Sequence, residues 1–375
     1  MIGLALSGGG SRAIAFHLGC LRALNDLRIL DRVNVLSTIS GGSIIGAYYA
    51  YTPTKTFEEF ESDIIAFLRA GFQQKIFEEL VKPQNFLPCL GNFIITHYQE
   101  AASFLYKKLS FSNEDLSWPL TQRFPSRTDM LHKVLQRDVL PGINMSSARR
   151  QDIEVVIGAC ELRTGSAFRF GNQRSGGWRH GEMVNWDVDV AFAAAASAAY
   201  PIFLPAFDRT WSFQKNGFMK EHRVLLTDGG VYDNLGVQVL EPGRNQNVSI
   251  HTYPCDYLIV CNAGHGQESG VNIPSGSLPR VAKSFEVVHR RVQDSTMNRL
   301  HHLIEARLLK GFAMPYLGQQ DNLLPWKPGA LVSRDEVTSY PTNFAAMNDG
   351  WINKLSDRGE QLTMALATLY LRDLL

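Results

Sequence analysis

The chain has 375 residues, of which 45% are hydrophobic and 19% are charged, and 37 basic against 36 acidic residues leave a formal net charge of +1. This composition is typical of a globular protein with one large core, or with a core domain and an inserted cap. The balanced charge excludes a nucleic-acid-binding protein that works through a broad basic field.

The N-terminus reads MIGLALSGGGSRA. It has no basic segment, and its apolar stretch is too short for a signal peptide, so we expect a cytoplasmic protein that visits membranes only peripherally. Val190–Phe207 carries no charge and approaches the ~20 residues of a membrane span. It is rich in alanine and interrupted by Pro201 and Pro205, which favours a buried helix followed by a short strand.

The first fifty residues predict a β-loop-α-β-turn-α unit. Ile2–Leu6 and Val33–Ile39 are apolar, strand-like runs, and Arg12–Leu27 and Ser43–Ala50 have the apolar spacing of buried helices. This alternation indicates a parallel sheet with helices packed on it.

Residues 55–140 have few strand-like runs and predict a helical insertion or cap. Its apolar side chains either pack the core or form a lipid-contact surface, and both interpretations stay open. Phe86–Ile95 is apolar and interrupted by Pro88 and Gly91. The predicted helices are Thr56–Ala70, Gln74–Val81, Tyr98–Leu109 and Asp129–Val139.

The α/β pattern resumes at Asp152. We therefore predict a single domain over 1–375, with 55–140 as the helical insertion or cap and 265–375 as a helical C-terminal extension. The predicted elements are strands Ile153–Cys160, Ala167–Phe170 as its hairpin partner, Val224–Thr227 and Asp256–Cys261, and helices Asp187–Ala199, Lys283–Lys310 and Gln361–Leu374.

Five cysteines are scattered along the chain without a CxxC pair: Cys20, Cys89, Cys160, Cys255 and Cys261. Their odd number and wide spacing predict neither a disulfide framework nor a zinc site. Cys20, Cys160 and Cys261 lie in apolar runs and are expected to be buried, inert thiols, which fits a reducing compartment.

Three glycine-bounded turns each follow an apolar strand: Ser7–Arg12, Thr38–Gly42 and Asp228–Gly230. In a parallel sheet such turns meet at the carboxyl edge, where α/β folds place their sites. Ser40 lies on a strand-to-helix turn that would expose its hydroxyl as a nucleophile. The alternative is a serine that only caps the helix, although Ser43 is the better candidate for a cap.

The other two turns supply partners for such a serine. Successive amides in Gly8-Gly9-Gly10 form a concavity for negative charge, either an oxyanion or a dinucleotide pyrophosphate. The dinucleotide alternative lacks the acidic residue that should end the next strand. Asp228 is positioned to take the proton of a serine hydroxyl, although an Asp-Gly turn is also common without any function.

Taken together, these turns resemble the patatin-like phospholipase family, with Thr38 as a departure where many members have glycine. The resemblance covers the blocks around residues 2–50 and 153–236. The matching motifs are Gly8-Gly9-Gly10-Ser11-Arg12, Ile39-Ser40-Gly41-Gly42-Ser43, Ala196-Ser197-Ala198-Ala199-Tyr200-Pro201 and Asp228-Gly229-Gly230-Val231-Tyr232-Asp233-Asn234.

The resemblance implies a three-layer fold, with a mostly parallel central sheet and helices on both faces. It also implies a serine lipid acyl hydrolase of the phospholipase A or lysophospholipase type, which needs no metal or cofactor. Membrane phospholipid or another acyl lipid would be the substrate, met by peripheral membrane contact. Ser40 would be the nucleophile and Asp228 the base of a Ser–Asp dyad. Gly8, Gly9, Gly10 and Gly41 would form the oxyanion hole, supported by Arg12, Gly42, Gly229 and Gly230.

Two alternatives stay open. His265 follows the strand Asp256–Cys261 and gives the chain order Ser40, Asp228, His265, which is the order of an α/β-hydrolase triad. The substrate could also be a soluble ester or thioester, or an acyl group for transfer, and a third possibility is a lipid-binding module without catalysis. His17 and His301–His302 are expected to pack or to lie at the surface.

Overall fold

The computed structural model describes residues 1–52, 56–109, 125–150, 152–201, 203–266, 275–324, 326 and 329–375. Its strands are β1 Ile2–Leu6, β2 Val35–Ile39, β3 Glu154–Glu161, β4 Ser166–Gly171, β5 Ser175–Gly177, β6 Gly181–Met183, β7 Phe207–Lys215, β8 Phe218–Asp228, β9 Tyr257–Cys261 and β10 Gly311–Ala313. Its helices are α1 Gly10–Asp26, α2 Gly41–Tyr51, α3 Phe57–Ala70, α4 Gln73–Val81, α5 Pro83–Leu109, α6 Arg127–Asp138, α7 Val190–Ser197, α8 Gly230–Asp233, α9 Ser277–Glu305, α10 Arg334–Val337 and α11 Asp349–Tyr370.

The ten strands form one mixed sheet in the order β10-β9-β1-β2-β3-β4-β5-β6-β7-β8. The strands from β10 to β3 are parallel, whereas every pairing from β3 to β8 is antiparallel. The mixed α/β fold was predicted, but a mostly parallel sheet was not the right description. Short hairpins join β3 to β4, β4 to β5, β5 to β6 and β7 to β8, and such connections produce antiparallel neighbours, whereas the longer segment from β6 to β7 contains α7.

The pairing of β3 with β8 positions the site. One edge of β3 pairs with β4 along Val156–Glu161, so β2 and β8 share its other edge. Ile39 at the end of β2 pairs with Gly158, and Asp228 at the end of β8 pairs with the next residue, Ala159. The two strands therefore run toward each other, and the turns after them meet.

Side chains alternate between two hydrophobic clusters on the two faces of the sheet, as the period-two geometry of a strand requires. Leu4 and Leu6 of β1 join the cluster under α1, α2, α7 and α11. Ala5 points to the opposite face, where Leu300 of α9 and the segment 235–240 pack. Helices therefore cover both faces, as the resemblance implied.

Several local expectations need correction. Phe86–Ile95 is not a break, because α5 runs through Pro88, whose missing N–H costs the helix one hydrogen bond. The predicted helix Asp187–Ala199 is only the eight residues of α7. Among the described helices, none combines the length and the hydrophobicity that crossing a bilayer requires.

The cysteines are free, and Cys20, Cys160 and Cys261 are buried as their apolar surroundings predicted; Cys255 is also buried, whereas Cys89 is half-buried.

Candidate active site

Ser40 occupies the turn between β2 and α2 in an unusual backbone conformation, with φ 53° and ψ −121°. A positive φ is strained for a residue with a side chain and persists only where the surroundings impose it. Ser40 is the N-cap residue of α2, yet its side chain makes no capping hydrogen bond. The structure thus removes the capping explanation for Ser40, and Ser43 does not cap the helix either, since it lies inside α2.

Glycines make this sharp turn possible. A side chain at Gly41 would place its Cβ 2.2 Å from the Gly10 carbonyl oxygen, and one at Gly42 would lie 2.4 Å from the Leu6 oxygen. A glycine also makes room for Thr38. A side chain at Gly46, one turn into α2, would place its Cβ 2.5 Å from the Thr38 methyl carbon. A threonine at position 38 is therefore compatible with the turn.

Asp228 is buried beside Ser40. Its Oδ1 accepts a 2.7 Å hydrogen bond from the Gly230 amide. Its Oδ2 is buried, and no described residue donates a hydrogen bond of good geometry to it. Burial raises the pKa of Asp228 from 3.8 to about 6, against the opposing effects of the Ser40 hydroxyl and the Gly230 amide. Desolvation thus dominates, and it turns this carboxylate into a stronger base.

Ser197, at the end of α7, ties the two turns together. Its hydroxyl accepts a 2.8 Å hydrogen bond from the Ser40 amide, lies 2.8 Å from the Ser43 hydroxyl and donates to the Gly158 carbonyl at 2.6 Å. Its own carbonyl accepts from the Gly229 amide at 3.1 Å. The sequence places this serine in one of the matching motifs but predicts no role for it, because its partners lie on other elements.

The glycine loop contributes two amides at the start of α1. The Gly8 amide donates to the Asn234 carbonyl at 3.1 Å, so Gly8 is not an oxyanion donor in this conformation, contrary to its expected role. In the described part of the chain, the amides of Gly9 and Gly10 have no acceptor. Gly9 has φ 147° and Gly10 has φ 60°, conformations that glycine adopts at low cost.

Arg12 is buried beside this loop. Its Nε donates to the Ala263 carbonyl at 2.9 Å and its Nη1 to the Thr342 hydroxyl at 2.8 Å and to His265 Nε2. Burial lowers the pKa of Arg12 from 12.5 to about 9, so the side chain stays charged at neutral pH.

His265 lies in the same cleft but is turned toward other partners. Because arginine can only donate, its Nε2 accepts from Arg12, and the remaining proton on Nδ1 is donated to the Thr338 carbonyl at 2.8 Å.

The C-terminal extension is part of the site, which the sequence did not indicate. The Asn343 carbonyl accepts from the Ser11 amide at 2.8 Å, and the Phe344 carbonyl accepts from the Gln73 amide at 2.9 Å. From α9, His289 hydrogen-bonds the Gly230 backbone, and burial lowers its pKa.

These elements enclose a cleft of about 2120 Å³. Its floor includes Gly9, Gly10, Arg12, Ser40 and Asp228, and α4, α9 and the segment 334–346 form its walls. Gly42 and Gly229 instead lie beneath the turns. A side chain at Gly229 would place its Cβ 2.2 Å from the Gly158 carbonyl oxygen, so its role is close packing of the backbone. The predicted nucleophile, base and Gly9–Gly10 loop are thus brought to one surface.

The fold and the cleft are those of an α/β protein with a serine on a strand-to-helix turn beside a buried aspartate. The model of the patatin-like phospholipase family matches residues 4–240. The chain belongs to this family, and its membership supports lipid acyl hydrolase activity. Among curated proteins, no match is found.

Solved structures share the fold at low identity. Human GIVD cytosolic phospholipase A2 has a TM-score of 0.55 and 13% identity, covering 100% of this chain and 62% of its own. This chain thus spans less than two thirds of that protein's structure. Its complex with methyl γ-linolenyl fluorophosphonate and terbium chloride has a TM-score of 0.49, 12% identity and coverages of 98% and 57%. VipD from Legionella pneumophila has a TM-score of 0.38, 11% identity and coverages of 98% and 66%.

Proposed function

We propose that this protein hydrolyses acyl esters of lipids through a Ser40–Asp228 dyad and a covalent acyl-enzyme. The observation that carries the proposal is the pairing of a strained serine that lines the cleft with a buried carboxyl group whose pKa is raised to about 6. A serine hydroxyl is a weak nucleophile and needs an adjacent base, and this aspartate has the basicity and the position for that role.

In the first half-reaction, Ser40 Oγ attacks the ester carbonyl carbon while Asp228 accepts the hydroxyl proton. The carbonyl oxygen becomes an oxyanion, which the amides of Gly9 and Gly10 receive, with the Gly41 amide at the start of α2 as a third donor. Each such donor is worth about 3 kcal/mol of transition-state stabilisation. The proton on Asp228 then passes to the leaving alcohol or lysolipid.

In the second half-reaction, Asp228 takes a proton from water, and the resulting hydroxide attacks the acyl-Ser40 carbonyl. The bond to Ser40 Oγ then breaks, the fatty acid leaves, and Asp228 returns the proton to Oγ. The nearby positive charge of Arg12 favours a second anion at the cleft floor, such as a phosphodiester. This agrees with a phospholipid substrate.

The contacts of His265 favour the dyad over a triad. Its Nε2 already accepts from Arg12 and its Nδ1 donates to the Thr338 carbonyl, so neither nitrogen is oriented as a base for Ser40. We therefore assign His265 to holding Arg12 and the C-terminal segment in place.

Exposed apolar side chains at the cleft support contact with a lipid surface. Phe77 of α4, Phe203 and Leu323 line the cleft and are each more than half exposed. On the adjoining α5, Phe86, Leu90, Phe93 and Ile94 follow helical spacing and are also exposed. Exposed apolar patches of this kind mark interaction sites, and beside a cleft for acyl lipid a membrane interface is the partner that fits.

The test is fluorophosphonate labelling with peptide mapping, together with phospholipid hydrolysis, on the wild type and on Ser40→Ala, Asp228→Asn and His265→Ala. We expect labelling at Ser40, with hydrolysis lost in the first two variants and retained in His265→Ala. Hydrolysis that survives Ser40→Ala would refute the nucleophile. Loss in His265→Ala with an unchanged fold would support the triad instead.

A further inference from the structure

A cluster of soft metal ligands lies behind the glycine loop, outside the proposed catalytic site. His17 and Cys20 are three residues apart on one face of α1, and Cys261 is the last residue of β9. All three side chains are fully buried. Their ligand atoms lie within 4.8 Å of one another.

The histidine has an unused nitrogen in this cluster. His17 Nε2 lies 2.9 Å from the Ser7 carbonyl oxygen, which can only accept, so Nε2 carries the proton. The other nitrogen, Nδ1, therefore holds a lone pair. It is buried and has no hydrogen-bond partner in the described structure, an unfavourable state for a polar atom in a core.

We propose that His17, Cys20 and Cys261 bind one thiophilic divalent cation of the zinc class. Binding converts two thiols and the cation into a bis-thiolate complex and releases two protons, with no change of oxidation state. Two thiolates cancel the double positive charge, and the imidazole is neutral, so the buried complex carries no net charge. A buried site tolerates a neutral complex far better than a charged one.

The distances allow this with a small adjustment. Zinc–sulfur bonds of about 2.3 Å in a tetrahedral site place two sulfurs about 3.8 Å apart, so the two sulfurs must approach each other by about 1 Å at most. The Nε2–H of His17 bonded to a backbone carbonyl is the arrangement that orients metal-binding histidines in proteins. A water, or the hydroxyl of the neighbouring Thr363, can complete the coordination.

The bound ion would stabilise the glycine loop, which lies next to the cluster. Ser7, which starts that loop, donates its amide to the Cys261 carbonyl at 3.1 Å and accepts from His17 through its own carbonyl. A metal that joins Cys261 to α1 would hold both partners of Ser7. Its role is therefore structural, distinct from the acyl-transfer chemistry at Ser40.

The test uses full-length, tag-free protein purified anaerobically, with zinc measured by elemental analysis and Co²⁺ titrated into zinc-stripped protein. We expect about one equivalent of zinc per chain, a thiolate-to-cobalt charge-transfer band, and a Tm that rises with added Zn²⁺. Cys20→Ala and Cys261→Ala should lose the metal and the band, whereas Cys255→Ala, which removes a buried thiol outside the cluster, should keep both.

Wild-type protein without zinc, without a cobalt–thiolate band and with an unchanged Tm would overturn the proposal. So would stoichiometric zinc that persists in both Cys20→Ala and Cys261→Ala, since it would be bound elsewhere. If those variants do not fold, the wild-type measurements decide, because the charge-transfer band requires thiolate ligation.

Discussion

At the scale of single residues, the site concentrates two unfavourable features. Ser40 holds a positive φ, and Asp228 is a carboxyl group buried with one backbone hydrogen bond. Each costs stability, and each serves the proposed chemistry, the first by placing Ser40 at the cleft and the second by raising the basicity of the carboxylate.

The raised pKa of Asp228 predicts the pH dependence of the reaction. The base must be ionised, so kcat/KM on a soluble short-chain ester should rise with pH and level off above about 6. Below that pH it should fall about tenfold per pH unit. Initial rates between pH 4 and 8 measure this, and a midpoint near 4 would mean that Asp228 is not the base.

The same shift predicts that Asp228→Asn stabilises the protein while abolishing activity. The folded-state pKa lies above the unfolded value, so the folded state binds more protons and wild-type stability falls as pH rises from about 4 to about 6. The rise from 3.8 to about 6 corresponds to as much as about 3 kcal/mol. Urea unfolding at pH 4 and pH 7.5 should show the variant gaining stability over wild type only at the higher pH.

Ser197 is predicted to act as a positioning residue for Ser40. Ser197→Ala leaves the Ser40 amide without its acceptor, and we expect kcat to fall about 10- to 100-fold with little change in KM. The matched control is Ser356→Ala, which removes another buried serine hydroxyl but lies on α11. Comparable losses of kcat in the two variants would show a general packing effect rather than positioning.

At the scale of elements, the C-terminal extension holds the loop around the site through a buried arginine. Arg358 of α11 donates to the carbonyls of Leu317, Gln319 and Val332 and to the Asp321 carboxylate, at 2.6–2.9 Å. Its side chain is completely buried. Arg358 therefore binds the chain at residues 317–321 and again at Val332, before and after the segment that leads to α10 and the cleft wall.

We predict that Arg358→Leu lowers the free energy of unfolding by about 3–5 kcal/mol, because it leaves three carbonyls and one carboxylate without their donor. The control is Arg69→Leu, which breaks a 2.6 Å pair with Asp349 in which both side chains are more than half exposed. That change should cost less than about 1 kcal/mol. Equal losses in chemical denaturation would contradict the assigned role of Arg358.

At the scale of the whole molecule, the apolar side chains around the cleft predict a preferred face for membrane contact. Replacing Phe77 and Phe203 with serine should weaken binding to phospholipid vesicles by about tenfold or more for each residue, from the lost burial of an aromatic side chain. Phe218→Ser is the control, since that residue is 79% exposed at the β7–β8 hairpin. Vesicle sedimentation measures binding, and equal effects of all three changes would rule out a defined face.

Much of the site was predictable because its signals are local. A serine between an apolar strand and a helix, a run of glycines before α1, and an aspartate ending a strand each require a few adjacent residues. The parallel half of the sheet followed from the β-α-β alternation for the same reason. In the antiparallel half, the hairpin of Ile153–Cys160 with Ala167–Phe170 was predicted and is the β3–β4 pair, whereas β5 and β6 were missed, since they have three residues each and give no periodic signal.

The sequence by itself determined the family, the helical and strand-like character of most segments, and the identity of the residues proposed for nucleophile and base. Only the tertiary structure decided what those residues touch. The pairing of β2 and β8 with one edge of β3 places Asp228 beside Ser40. The Gly8 amide is hydrogen-bonded to the Asn234 carbonyl, and His265 contacts Arg12. His17, Cys20 and Cys261 lie together in the core. These contacts join residues far apart in the chain, and their geometry depends on how strands pair and helices pack, which no local pattern encodes.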